Sequence, residues 1–154
     1  MIELCIAIDD PRADDVRALL ERHLAFAHAQ SPPEDVHALD VDRLVDPSIA
    51  FFSARRDSAL LAVGALKHLD DEHAELKSMH TAAEVRGQGV GGAMLGHLLM
   101  VAKERGYRRV SIETGSMAAF APARAMYSSA GFTMCGPFGD YVVGPNATFM
   151  TRAV

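Results

Sequence analysis

Residues 74–106 read AELKSMHTAAEVRGQGVGGAMLGHLLMVAKERG, and the fold turns on how this stretch is parsed. An apolar run of strand character leads through a short polar connection to Gly87, Gly89, Gly91 and Gly92, where an amphipathic helix over 90–105 begins. Without Cβ atoms the backbone there can turn tightly and come close to a ligand. The first turn of a helix leaves N–H groups unpaired and carries partial positive charge, so a glycine run at that point reads as an anion cradle. Arg86 adds a positive charge at its mouth. A flexible linker is the plain alternative, but linkers seldom run straight into so regular a helix. Gly106 suits the position just past the helix end, and Lys103 and Arg105 match the negative end of its dipole.

Upstream, the apolar runs 49–54 and 59–69 are joined by Arg55-Arg56-Asp57-Ser58, a hairpin signal, and a polar turn leads into the strand 74–81. Three strands with short connections predict an antiparallel meander. Nearer the N-terminus, 2–8 reads as a strand, and Asp10 and Pro11 as the cap and first turn of a helix. Val16, Leu19, Leu20, Leu24 and Ala27 give that helix its core face, with His23 on it as a packed core histidine. Ser31-Pro32-Pro33-Glu34 starts a weaker helix to about Leu44, with Val36, Leu39 and Leu44 as its apolar side. The polar residues 28–35 are a solvated loop or the rim of a substrate pocket.

Downstream come a strand at 108–114, a helix from Pro122 to Gly131, and strands at 132–135 and 148–152 around the turn-rich 136–146. The order β-α-α-β-β-β-α-β-α-β-β predicts an α+β domain whose mixed, mostly antiparallel central sheet has helices on both faces. At 154 residues and 49% hydrophobic, with no linker or repeat, the chain is read as one domain over 1–154.

A net charge of −5, without a basic stripe or a Trp, argues against a nucleic-acid partner. No apolar run approaches the ~20 residues of a membrane span. The opening MIELCIAIDD lacks a signal peptide's basic start and cleavage site. Cys5 and Cys135 stand far apart in apolar runs and are expected to be reduced core residues. Together these place the protein in the cytoplasm.

Gly87-Gln88-Gly89-Val90-Gly91-Gly92 matches G-x-G-x-x-G, and Glu113 follows at about the ~20 residues of a dinucleotide fingerprint. The context opposes that reading. In a dinucleotide site the first glycine follows its strand almost directly in an early βαβ unit, whereas residues 82–86 intervene here and several elements precede. A P-loop lacks its closing Gly-Lys-Ser/Thr.

Arg86-Gly87-Gln88-Gly89-Val90-Gly91 resembles the Q/R-x-x-G-x-G/A signature of the GNAT superfamily of acyl-CoA-dependent N-acyltransferases. Tyr127-Ser128-Ser129-Ala130-Gly131-Phe132 is similar to that family's Y-x-x-x-G-F element, and the resemblance runs from about residue 2 to 152. Glu113-Thr114-Gly115-Ser116, the segment 137–141 and Phe149-Met150 look like the small single-domain bacterial members. The resemblance implies an acetyl-CoA-dependent N-acetyltransferase. Arg86, Gly87, Gln88, Gly89, Val90, Gly91 and Gly92 would hold the pyrophosphate without a metal, and Met79, His80 and Thr81 the pantetheine arm. No close-spaced ligand pair among the seven histidines suggests a metal site.

Acetyl transfer by direct attack in a ternary complex needs a neutral amine and a proton for the departing thiolate. The resemblance puts Tyr127 near the sulfur, while a core aromatic is the alternative. Glu75 is the candidate base, with Glu113, His80 and a water chain as rivals; regular alternation places Glu75 and His80 on opposite faces unless a bulge intervenes. The family often has Asn near the end of the strand where this chain has Thr114-Gly115-Ser116, which leaves contacts of that loop open. Glu75, Glu113 and Asp140 would suit a small cationic amine, whereas Arg55, Arg56 and Arg124 would suit the carboxylate of an amino acid. A protein amine, a non-catalytic acyl-CoA sensor and a homodimer also stay open.

Overall fold

The computed structural model describes residues 3–36 and 41–154, so the readings placed on Ile2 and Leu39 lie outside the described residues. Strands β1 (Cys5–Ile8), β2 (Ile49–Arg56), β3 (Ala59–Asp70), β4 (His73–Thr81), β5 (Arg109–Gly115), β6 (Thr133–Met134) and β7 (Ala147–Ala153) form one sheet in the order β1-β2-β3-β4-β5-β7-β6. Every neighbouring pair is antiparallel except β4 and β5, which the helix α3 (Val90–Glu104) connects in parallel. A parallel pair needs such a crossover, whereas antiparallel neighbours need only a turn. The β2–β3 turn is the tightest kind: Asp57 and Ser58 both have positive φ, at 52° and 71°, matching the twist of the flanking strands.

Each sheet face is covered. Helix α1 (Asp14–Gln30) and the short α2 (Val41–Leu44) pack Val16, Leu19, Leu20 and Leu44 against Phe51, Val63 and Ala65. On the other face α3 and α4 (Ala121–Ser129) pack Met94, Leu95, Leu98 and Tyr127 against Leu66, Leu76, Val110 and Ile112. Each fully buried Leu is worth about 1.5–3 kcal/mol over an exposed one, so both helix layers are held mainly by this burial.

Three local expectations are corrected. Helix α1 starts at Asp14 with Ala13 as an N-cap that makes no side-chain bond. Asp10 instead accepts the N–H of Arg12 at 2.9 Å, which commits 10–12 to a turn before the helix. The second predicted helix is a 3-10 turn, Pro33–Asp35, followed by the four-residue α2. Cys5 is exposed and Cys135 partly exposed, and both are free thiols outside the core. Cys5 sits on the edge strand β1, and Cys135 follows the two-residue β6, where no layer covers it.

The feature that shapes the site is a bulge in β4. Ala65 pairs with Lys77 and Val63 with His80, so Ser78 and Met79 together oppose Gly64. Ser78 has φ 55°, unusual for a residue with a side chain. A Cβ on Gly64 would lie 2.7 Å from Met79 Sδ and 3.0 Å from Leu98, so glycine makes room for the crowded bulge. The extra residue also resets the alternation. Glu75, Lys77 and His80 all share the α1 face, as the bulge alternative in the sequence allowed.

Candidate active site

Strands β4 and β5 pair only from His73–Arg109 to Glu75–Ser111, yet β4 continues to Thr81 and β5 to Gly115. Beyond that point they separate, and a cleft of about 670 Å³ opens between them. On its other side β4 stays paired with β3 as far as Thr81. Its outer edge from Leu76 to Thr81 therefore faces the cleft without a partner strand, as a row of backbone donors and acceptors. The cleft passes through the sheet: Met79, Met94 and Tyr127 line it on the α3 side, and Lys77, His80 and Glu113 on the α1 side.

At the α3 end lies the glycine loop. Gly89 is the N-cap of α3, in the left-handed region at φ 85°, and Gly87 has φ 76°. A Cβ on Gly91 would stand 3.1 Å from Thr81 Oγ1 and 3.3 Å from Met126 Sδ, so its absence lets the first turn close on the end of β4. Arg86, Gly87, Gly89, Val90, Gly91 and Gly92 line the cleft, as do Met79, His80 and Thr81, whereas exposed Gln88 does not. The helix start offers N–H groups to an anion. One more group in the wall awaits a partner: the buried hydroxyl of Ser78, which has none among the described residues. An extended ligand with an anionic end and amide groups fits this wall, and coenzyme A is one.

Tyr127 sits between the faces, 3% exposed, with its ring edge-on to Phe132 at 5.6 Å. No hydrogen bond reaches its hydroxyl among the described residues, and burial pushes the phenol well above its ordinary range. It is thus both a core aromatic and part of the cleft wall.

The α1 side holds a network that sequence reasoning only half found. Tyr141 donates its hydroxyl to Glu75 Oε2 at 2.5 Å and accepts from Lys77 Nζ at 2.8 Å, while Lys77 Nζ lies 3.4 Å from the same carboxylate oxygen. Glu75 is 3% exposed and does not line the cleft; Lys77, 8% exposed, does. Burial lowers the pKa of Lys77 against the pull of Glu75. Burial and then the Glu75 charge raise that of Tyr141. Lys77 and Tyr141 carried no motif of their own, and only the β4 register and the return of the 136–146 loop bring them together.

His23 is not a core residue as expected. It lines the cleft, and its Nδ1 lies 3.2 Å from Nδ1 of His80. Helix α1 points it at the α1 face, where the bulge delivers His80. Burial lowers His23 to about 4, helped by Lys77, and His80 to about 3, helped by His23, Arg86 and Arg22. Both rings are neutral near pH 7, and one Nδ1–H donates to the other ring's Nδ1.

The remaining expected residues divide. Glu113 lines the cleft, and exposed Asp140 does not. Arg55 is bound to Asp15 at 2.6 Å and Asp9 at 3.0 Å. Arg124 donates to the carbonyls of Gly115 and Met117, and neither it nor Arg56 lines the cleft. Of the two readings left open for 28–35, a solvated loop or a pocket rim, the rim applies to Ser31 and Asp35, which line the cleft; Asp35 accepts from Asn146 Nδ2 at 2.8 Å, tying the α1–α2 connection to the 136–146 loop.

A split sheet with a glycine-capped helix at the split defines an acyl-CoA-binding acyltransferase architecture. The profile of the acetyltransferase (GNAT) family matches residues 14–132. The chain is 47% identical over 147 residues to an uncharacterized N-acetyltransferase, YsnE, of Bacillus subtilis, covering 96% of this chain and 97% of that one. Its fold is similar to a putative acyl-CoA N-acyltransferase of Klebsiella pneumoniae (TM-score 0.79, 21% identity, 97% of each chain). It is also similar to a GNAT family acetyltransferase of Elizabethkingia anophelis with acetyl-CoA bound (TM-score 0.73, 18% identity, 98% of each chain). The chain belongs to the GNAT acetyltransferase family and is an acetyl-CoA-dependent N-acetyltransferase. No helix of the described residues is long and apolar enough to cross a membrane.

Proposed function

We propose that this enzyme, a single domain over 1–154, acetylates the primary amine of a small molecule such as an amino acid or polyamine, by direct attack in a ternary complex. The observation that carries this reading is the cleft through the sheet, open to the glycine loop on one face and to the Lys77–Glu75–Tyr141 network on the other. Two substrates can then meet without either leaving. Acetyl-CoA supplies an acyl group activated as a thioester. The new C–N bond forms as the C–S bond breaks, so the protein must take one proton from the amine and give one to the sulfur.

Tyr127 serves the sulfur. Its phenol is neutral, buried beside the cleft and supplied with no competing acceptor among the described residues. The burial that makes a phenolate costly makes a thiolate costly too, so a hydrogen bond from Tyr127 gains strength as charge develops there.

Glu75 serves the amine. An aliphatic ammonium has a pKa near ~10, so the proton must be drawn off at neutral pH. The carboxylate lies behind the cleft wall, held by Tyr141, and Lys77, which lines the cleft, connects it to the cleft. His80 ranks lower. With its pKa at about 3, charging it at pH 7 costs roughly 5 kcal/mol at ~1.4 kcal/mol per unit.

The test follows thiol release from acetyl-CoA against a panel of amines, then repeats it with Glu75→Gln. Turnover should fall most near neutral pH and recover as pH rises and the amine deprotonates on its own. A loss equal at every pH would reduce Glu75 to an orienting or structural charge.

A further inference from the structure

Resting on the amine reading above, we infer that the acceptor is an amine that carries an aromatic ring and no carboxylate. The ring site is formed by Phe26 of α1 and Phe120, just before α4. Both line the α1 half of the cleft, their rings edge-on with centroids 5.4 Å apart. Such a pair leaves ring faces and edges for a third aromatic group, which stacks or meets them edge-on.

The sequence makes room for this wall deliberately. A Cβ on Gly115 would fall 2.3 Å from Phe120 Cδ2 and 2.5 Å from its Cε2, so the ring lies directly on the glycine backbone at the end of β5. Gly115 does not have a positive φ; what requires glycine is this close approach. Arg124, bonded to the carbonyls of Gly115 and Met117, fixes the turn that carries Phe120.

Charge supplies the second half of the inference. The arginines are committed or face elsewhere: Arg55 is held by Asp9 and Asp15, Arg124 by backbone carbonyls, Arg56 does not line the cleft, and Arg86, which does, sits at the glycine loop assigned to the coenzyme's phosphates. Lys77, the cation on β4 in this half, is bridged by Glu75. Glu113 and Asp35 add two further carboxylates to the wall, and the His23–His80 pair is neutral. A half-cleft with more carboxylates than cations attracts an ammonium group and disfavours a second carboxylate.

The experiment compares phenethylamine, phenylalanine and n-butylamine as acceptors by kcat/KM, and measures by calorimetry the binding of phenethylamine to the protein saturated with coenzyme A. Phenethylamine should lead each of the others by about tenfold or more, the scale of one well-placed apolar contact. Phe120→Leu, and separately Gly115→Ala, should lower the phenethylamine-to-butylamine ratio and weaken phenethylamine binding about tenfold. The melting-temperature rise caused by coenzyme A should persist in both, which shows that the fold and donor site survive. Equal turnover of phenethylamine and butylamine by the wild type overturns the ring site, and preference for phenylalanine overturns the exclusion of a carboxylate. Either result leaves the amine reading standing. If no amine at all releases thiol, the amine reading falls and takes this inference with it.

Discussion

On the α3 side the cleft wall is built around one continuous piece of chain, the strand end and glycine loop around 79–92, with Met94 and Tyr127 packed beside it, whereas on the α1 side it is walled by side chains from α1, the 33–36 segment, β4, β5 and the loops at 120 and 146. The first wall works largely through backbone: positive φ, missing Cβ atoms and the N–H groups of a helix start. The second works through side chains whose positions depend on packing, such as the Lys77–Glu75–Tyr141 network and the Phe26–Phe120 pair. A backbone wall suits a partner that never changes, the coenzyme. A side-chain wall can be rewritten position by position, which is how one fold comes to serve many acceptors.

The contrast is sharpened most by Tyr127, which sits where the walls meet. Tyr127→Phe keeps the ring against Phe132 and removes the donor. Turnover is expected to drop ~10²–10⁴-fold, the range of a positioned general acid, while the coenzyme A-induced rise in melting temperature is kept. Wild-type turnover in this variant would leave Tyr127 as packing alone.

A smaller effect tests whether the donor wall is truly backbone. Gly89→Ala and Gly106→Ala place a Cβ at nearly the same φ, 85° and 88°, at opposite ends of α3, and neither Cβ would meet a protein atom within 4 Å. Backbone strain should therefore lower both melting temperatures alike. Only Gly89→Ala should shrink the rise produced by coenzyme A. Equal shifts in the two variants would break the assignment of the cradle.

The smallest effect belongs to the acceptor wall. His23 and His80, lowered from 6.5 to about 4 and about 3, stay neutral in the folded chain while the unfolded chain takes up protons below pH 6.5. Their contribution to stability is thus complete above 6.5 and lost as pH falls toward those folded values. Replacing His80 by Gln should flatten the melting temperature against pH between about 6.5 and 4. A curve unchanged in slope would mean that the rings titrate normally.

Legibility followed the same division. The glycine loop, the helix it opens and the order of strands were readable because each depends on neighbours in sequence: periodicity, punctuation and caps. The place of Tyr127 in the cleft wall was readable through the resemblance carried by the Gly131-Phe132 pair beside it. What escaped was set by register and distance. No local pattern marks Lys77, which becomes part of the site only through Tyr141 of the 136–146 loop and Glu75 on its own strand. His23 kept perfect helical spacing for a core position, but α1 overhangs the split in the sheet there. Arg124 looked available because its acceptors are backbone carbonyls, which no side-chain pattern reveals. The single residue with the most leverage, Ser78, is ordinary in composition and carries its meaning only in φ.

That residue also sets a trade between durability and use. Without Ser78 the strand would read Glu75-Leu76-Lys77-Met79-His80-Thr81, a regular alternation that keeps every side chain on its present face. The extra residue therefore does nothing for the hydrophobic pattern. It adds local twist where β4 leaves β5, and it strands a hydroxyl in the wall. A chain lacking it should zip the two strands together, resist heat better, protect the amides of 76–81 from hydrogen exchange and fail to take up coenzyme A. The enzyme, on this view, is a more stable sheet held ajar by one amino acid.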